Sequence, residues 1–124
     1  MSYNLIPKQD VEKAKFNELI VHETAQQVIK DFAGFGMEVT FPDNLHYAYD
    51  DLLQQLTLLV GDLLHNEEEK LSALLYQIDL DESKFKEESD RSLHEHEWLS
   101  EMILHREFLK VLTRHYFKDH PEKL

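Results

Sequence analysis

The residues best suited to chemistry lie in one stretch, LHEHEWLSEMILH, residues 93–105. On an α-helix Glu97, Glu101 and His105, spaced by four, fall near one face, and His94 joins them from the turn before. Carboxylates and imidazoles at that spacing can bind a transition metal when a second helix adds ligands. Ferritin-like di-iron bundles instead need Glu-x-x-His on two helices, with carboxylates from two others. Here the order is Glu-x-x-x-His, and His94-x-x-Glu97 runs in reverse. Glu18-x-x-x-His22 and Asp62-x-x-His65 also have metal-like spacing, although His65 projects away from the apolar face of its helix. His94 and His96 point to different sides. The competing expectation is a solvated acidic face with one partly buried, hydrogen-bonded histidine at 105. That expectation is preferred, so no cofactor is expected, and His94, Glu97, Glu101 and His105 stand as the metal candidates of an alternative reading. Burial should make His105 resist protonation, with Glu101 one turn away opposing this.

A second cluster has the spacing of a calcium loop. Counting from Asp79, oxygen-bearing side chains fall at positions 1, 3, 5, 9 and 12 (Asp79, Asp81, Ser83, Glu87, Asp90), with the Phe85 carbonyl at 7. Lys84 stands where the turn wants glycine, Asp90 is short for bidentate reach, and Lys86 takes a normally apolar position. A charged linker is the better reading. Nucleophilic catalysis lacks a Gly-x-Ser-x-Gly elbow, and no glycine-rich phosphate loop or dinucleotide fingerprint is present. Acid–histidine pairs can do general acid–base work, but spacing alone builds no pocket.

The element that would position the first cluster is a helix over Ser92–Lys118, about 40 Å long. Trp98, Met102, His105, Leu109, Leu112 and Tyr116 step along it by fours and threes as a seam. Leu104, Phe108 and Val111 form a second apolar row, and Leu99 and Ile103 a third. A helix apolar on three sides packs against several partners. Upstream, the spacing of Val11, Ala14, Glu18, Val21, Ala25, Val28 and Phe32, with Phe16, Leu19 and Ile20 on another side, predicts one helix from about Lys8 or Asp10 to Ala33, stopped by Gly34 and Gly36. Met37–Phe41 is β-leaning but has no ladder partner, so an extended connector is expected at 37–41. Asp43 or Asn44 can then cap a helix over Leu45–His65 whose face is Leu45, Tyr49, Leu52, Leu56, Leu59, Val60 and Leu63, widened by Leu53 and Leu64, with Leu58 nearly opposite. Asn66 with Glu69 matches a capping box, predicting a kink and a short helix to Ile78 that buries Leu71, Leu74, Leu75 and Ile78. The acids 67–69 serve that helix's N-terminus.

These elements predict an all-α fold: an antiparallel helical bundle of three long helices plus one short helix, in a single domain over 1–124. The chain has 124 residues, 42% hydrophobic and 31% charged, which suits one self-sufficient core. With no cysteine, disulfides and thiolate sites are excluded. A net charge of −12 disfavours nucleic acid and acidic membranes, and no apolar run reaches spanning length. Cytoplasmic residence is the expectation. The apolar surplus on the last helix, with Tyr47 and Leu58 off the main face of theirs, favours a protein partner or a second copy as a homodimer. In the monomeric alternative the other helices enclose the last one completely.

Residues 48–82, AYDDLLQQLTLLVGDLLHNEEEKLSALLYQIDLDE, and the later HREFLKVLTRHYF resemble a group of small uncharacterised Bacteroidetes-like bacterial proteins. The likeness is carried by Leu74–Asp79 and Arg106–Val111. It implies an all-helical fold and transfers no catalytic or binding residue. The function expected is that of a non-catalytic interaction or self-associating module, with a metal-binding bundle, extending to a metalloenzyme, as the alternative.

Overall fold

The computed structural model describes residues 6–80 and 95–123. Among them the chain is all-α, with five α-helices, two short 3₁₀ turns and no strand. The charged linker weighed as a calcium loop, from residue 81 onward, and the candidate ligand His94 lie outside the described residues.

The first helical stretch is divided in two: α1 spans Lys8–Ala14 and α2 spans Glu18–Ala33. Pro7 stands at the N-cap of α1, its carbonyl accepting from Asp10 and Val11, and Asp10 sits in the first turn, where an acid suits the helix dipole. The break falls at Asn17, whose side chain accepts a hydrogen bond from the Ile20 N–H at 3.1 Å. Asparagine is among the strongest N-cap residues, and here it outweighs an apolar spacing that runs straight through the break. The break leaves Phe16 and Leu19 exposed.

Past Ala33, Met37 donates to the Phe32 carbonyl and Gly36 to that of Ala33, with Gly36 at φ +77°. This is a Schellman turn with glycine at the one position that needs a left-handed backbone. The connector is irregular, as expected, and its backbone groups find a side chain in place of a strand. The Gln55 amide accepts from the Thr40 N–H at 2.8 Å and donates to the Thr40 carbonyl at 2.9 Å. Val39 beside it is buried.

Asn44 caps a 3₁₀ turn, Leu45–Tyr47, that leads into α3, Ala48–Asn66. Its buried face is Ala48, Leu52, Leu56, Val60 and Leu63, while Leu58 stands opposite, 78% exposed. The kink near Asn66 is present, but its chemistry differs from the capping box. Asn66 ends α3 and donates to Asp62, and Glu67 starts α4, Glu68–Gln77, without a side-chain cap. Leu71, Leu74, Leu75 and Ile78 are buried as predicted. A second Schellman turn closes α4, with Leu80 donating to Leu75 and Asp79 to Tyr76. Asp79 takes the left-handed position at φ 62° and is held there by Arg106, which bonds its carbonyl at 3.1 Å and its carboxylate at 2.9 Å.

The last helix, α5, spans Glu95–Asp119 and packs chiefly against α3 and α2. Its buried side is not the predicted seam, of which Leu112 alone is buried. Leu99, Ser100, Ile103, Leu104, Glu107, Phe108, Val111 and Leu112 are buried, whereas Trp98, Met102, His105, Leu109 and Tyr116 flank them, half-buried. With α2 and α3 both against it, α5 buries the stripe that faces the space between them. Two apolar clusters result. One joins α2, α3, α4 and the first half of α5, and a smaller one packs Ile6, Ala14 and Ile20 onto Phe108, Val111 and Leu112.

Candidate functional site

The turns of α5 divide the predicted metal cluster. Glu97 and Glu101 are both exposed and line a trough of about 430 Å³ with Leu53, Gln54, Thr57 and Leu58 of α3. Glu101 also lines an adjoining cleft of about 340 Å³ with Lys15, Tyr49, Trp98, Met102 and His105. Glu101 and His105 therefore share a cleft, while Glu97 opens on the trough beside it. Among the described residues no group of three or more histidines, aspartates or glutamates is placed to hold a metal ion. Glu18-x-x-x-His22 brings no pair together: His22 packs on Phe41, ring centroids 4.7 Å apart. His65 bonds the Gly61 carbonyl at 2.9 Å, and Asp62 accepts from Asn66.

His105 is half-buried on the flank of α5, and its imidazole is held below the usual range. Burial is the largest cause, Lys15 adds to it, and Glu12 opposes. The opposing acid thus comes from α1, not from Glu101 on the same helix. Tyr49 faces the same cleft. Burial first, and then the charges of Glu101, Glu12 and Asp50, push its phenol up to about 12. Lys15 lies 5.0 Å over the Tyr49 ring and 3.5 Å from Glu12, so this cation already has partners. The cleft therefore presents a neutral imidazole, a neutral phenol and one carboxylate.

The most perturbed group escaped the sequence reading. Glu107 lies in the apolar stripe of α5 and is fully buried. Neither carboxyl oxygen has a hydrogen bond of ordinary geometry, and Lys110 Nζ stands 3.6 Å from Oε1. Burial raises its carboxyl most, and neighbouring Asp31 raises it further, as an acceptor favouring the protonated form and by its charge. Lys110 pulls the other way, and the result is about 8. Glu107 is thus protonated at neutral pH, as a low-dielectric site demands of an acid without a full counter-charge. Asp31, on α2, is held by Gln27 one turn before it, whose amide donates to both carboxylate oxygens at 3.1 Å. Further along the same interface His115 pairs with Glu23. A signal was present: Glu107 follows Ile103 and Leu104 by one turn and precedes Val111 by another, an acid set within apolar spacing.

Exposed apolar residues gather at a different place. Of the six exposed large hydrophobics among the described residues, Phe16, Leu19, Phe41 and Tyr47 lie around the α1–α2 break, the connector and the 3₁₀ turn; Leu58 and Tyr76 stand apart. Ring contacts join Phe16 to His46 at 5.6 Å and His46 to Tyr47 at 4.7 Å, while Phe41 packs on His22 of α2. No helix among the described residues is long and apolar enough to cross a membrane. Compared with protein-family models, curated proteins and solved structures, the chain matches none.

Proposed function

We propose that this chain is a non-catalytic, cytoplasmic protein-interaction module, folded as an antiparallel bundle of three long helices with a short fourth, that self-associates as a homodimer. One observation carries the reading: among the described residues, exposed Phe16 and Tyr47 are joined through His46 into one aromatic corner, with exposed Leu19 and Phe41 on the neighbouring α2 and connector. Isolated exposed leucines are ordinary, but clustered aromatics leave apolar surface in water that a partner removes. Around a two-fold axis the same corner meets itself, Tyr47 of one copy against Phe16 or Tyr47 of the other. Charge at −12 per copy opposes this, so association tightens as salt shortens the Debye length. It also keeps nucleic acid and acidic membranes off the list of partners. Sedimentation equilibrium across protein and salt concentration tests the reading, with Tyr47→Lys and Phe16→Asp expected to give monomers. A wild-type chain that stays monomeric at high protein and high salt refutes self-association.

The alternative, a metal-binding bundle, is supported only by Glu101 and His105 sharing one cleft. Metal analysis of protein purified without added metal separates the two. Stoichiometric iron, manganese or zinc, lost on Glu101→Ala or His105→Ala, would favour the alternative.

A further inference from the structure

We infer that the trough between α3 and α5 is a docking surface for a basic amphipathic helix of another protein. Its α3 side is mostly apolar, with Leu53 and Leu58 flanking Gln54 and Thr57, whose hydroxyl is turned back to the Leu53 carbonyl, and its α5 side carries Glu97 and Glu101 a single turn apart. Leu58 on the α3 side is 78% exposed. The trough shares Leu53 and Glu101 with the adjoining cleft that holds Trp98 and Met102, so the two form one continuous surface. From Glu97 to His105 it follows about 12 Å of helix, which accommodates roughly two turns of a partner helix.

Charge selects the occupant. Neither Glu97 nor Glu101 makes an ion pair among the described residues. The lysine at the far end, Lys15, is engaged by Glu12 and Tyr49. A second copy, carrying −12, would bring mostly acidic surface against an acidic side. A neutral apolar helix would cover the α3 side and leave both carboxylates without counter-charge. A helix with aliphatic side chains along one stripe and lysine or arginine beside it satisfies both sides together. The surface includes none of Phe16, Leu19, Phe41 or Tyr47, so it is independent of the aromatic corner and of self-association there.

The probe is a leucine–lysine peptide of about 18 residues, long enough to form a helix on binding, with all its leucines on one face. Its scrambled isomer and its glutamate-for-lysine analogue serve as controls. Trp98, the only tryptophan, lines the adjoining cleft and reports binding by fluorescence, while calorimetry gives affinity and stoichiometry. One peptide should bind per chain, more weakly as salt rises, and the glutamate analogue should not bind. Glu97→Lys with Glu101→Lys should weaken binding about tenfold more than Glu68→Lys with Glu69→Lys, the same charge change placed on α4. Leu58→Lys should also cost about tenfold. The milder Glu97→Gln with Glu101→Gln should cost about threefold and covers the case in which the lysine pair disturbs folding, which circular dichroism reveals. Tyr47→Lys should leave affinity unchanged. Equal losses from the two lysine pairs, or equal affinity for the scrambled isomer, would reduce the attraction to bulk charge and overturn the inference. So would loss of binding on Tyr47→Lys. Absence of binding together with a lower melting temperature for Leu58→Lys would mean that the chain's own residues cover the trough, which also overturns it.

Discussion

Replacing Glu107 by glutamine isolates one ionisation at nearly constant shape. The carboxyl is fully buried and lifted from 4.5 to about 8. Between those values the folded chain keeps the proton and the unfolded chain releases it, so folding takes up a proton and stability falls as pH rises. Below about pH 4.5 both states are protonated and nothing is lost; above about pH 8 both are ionised and the loss has reached its full size. Each unit in the window costs about 1.4 kcal/mol. Between pH 5 and pH 8 the wild type should therefore lose about 3.5 kcal/mol relative to Glu107→Gln, a large share of the roughly 5–15 kcal/mol typical of a small domain. Glutamine can also donate to Asp31 and accept from Lys110, so the variant should equal the wild type to within about 1 kcal/mol at pH 5 and exceed it at pH 8. Urea unfolding of both proteins at half-unit pH intervals, followed by circular dichroism, measures the difference. The remaining acids and histidines titrate in both chains and cancel. Parallel stability curves for the two proteins would refute the buried, proton-holding Glu107.

Asp79 provides a test of backbone strain. Asp79→Ala and Asp79→Gly both lose the carboxylate that pairs with Arg106, but only alanine retains the unfavourable positive φ, so alanine should be less stable by about 1 kcal/mol in denaturant unfolding. Leu56→Ala should cost about 3 kcal/mol because Leu56 is fully buried, whereas exposed Leu58→Ala should stay within about 0.5 kcal/mol; similar costs would misplace the face of α3. His105 should titrate lowest of the eight histidines by NMR, since burial and Lys15 oppose its charge. Because its folded value lies below the unfolded value of about 6.5, its contribution to stability is full above that value and declines as pH falls through the folded one. A ring that titrates with the others would remove it from its half-buried place.

Helical class, the kink between α3 and α4, and the buried residues of α4 were legible in sequence because each is local. Periodicity, glycine stops and residues 67–69 act within a turn or two of themselves. The break before α2 was also local, written in Asn17, but the apolar spacing on either side masked it. Capping at Asn66 failed because its amide found Asp62 one turn back, a competitor of equal reach. Which rows of α5 are buried could not be read from α5. Apolar residues lie on three of its sides, and the choice belongs to α2 and α3, which together enclose the row containing Leu104 and Phe108 and leave the Trp98–His105 seam on the flank. Glu107 was carried inside by that same choice, and its lifted carboxyl depends on Asp31, some 76 positions earlier. The aromatic corner is likewise a product of packing, since Phe16 meets Tyr47 only through His46, brought back against the α1–α2 break by the turn that leads into α3. Periodicity limits which faces of a helix can be buried; neighbours from distant parts of the chain determine which face is, and which charges are buried with it.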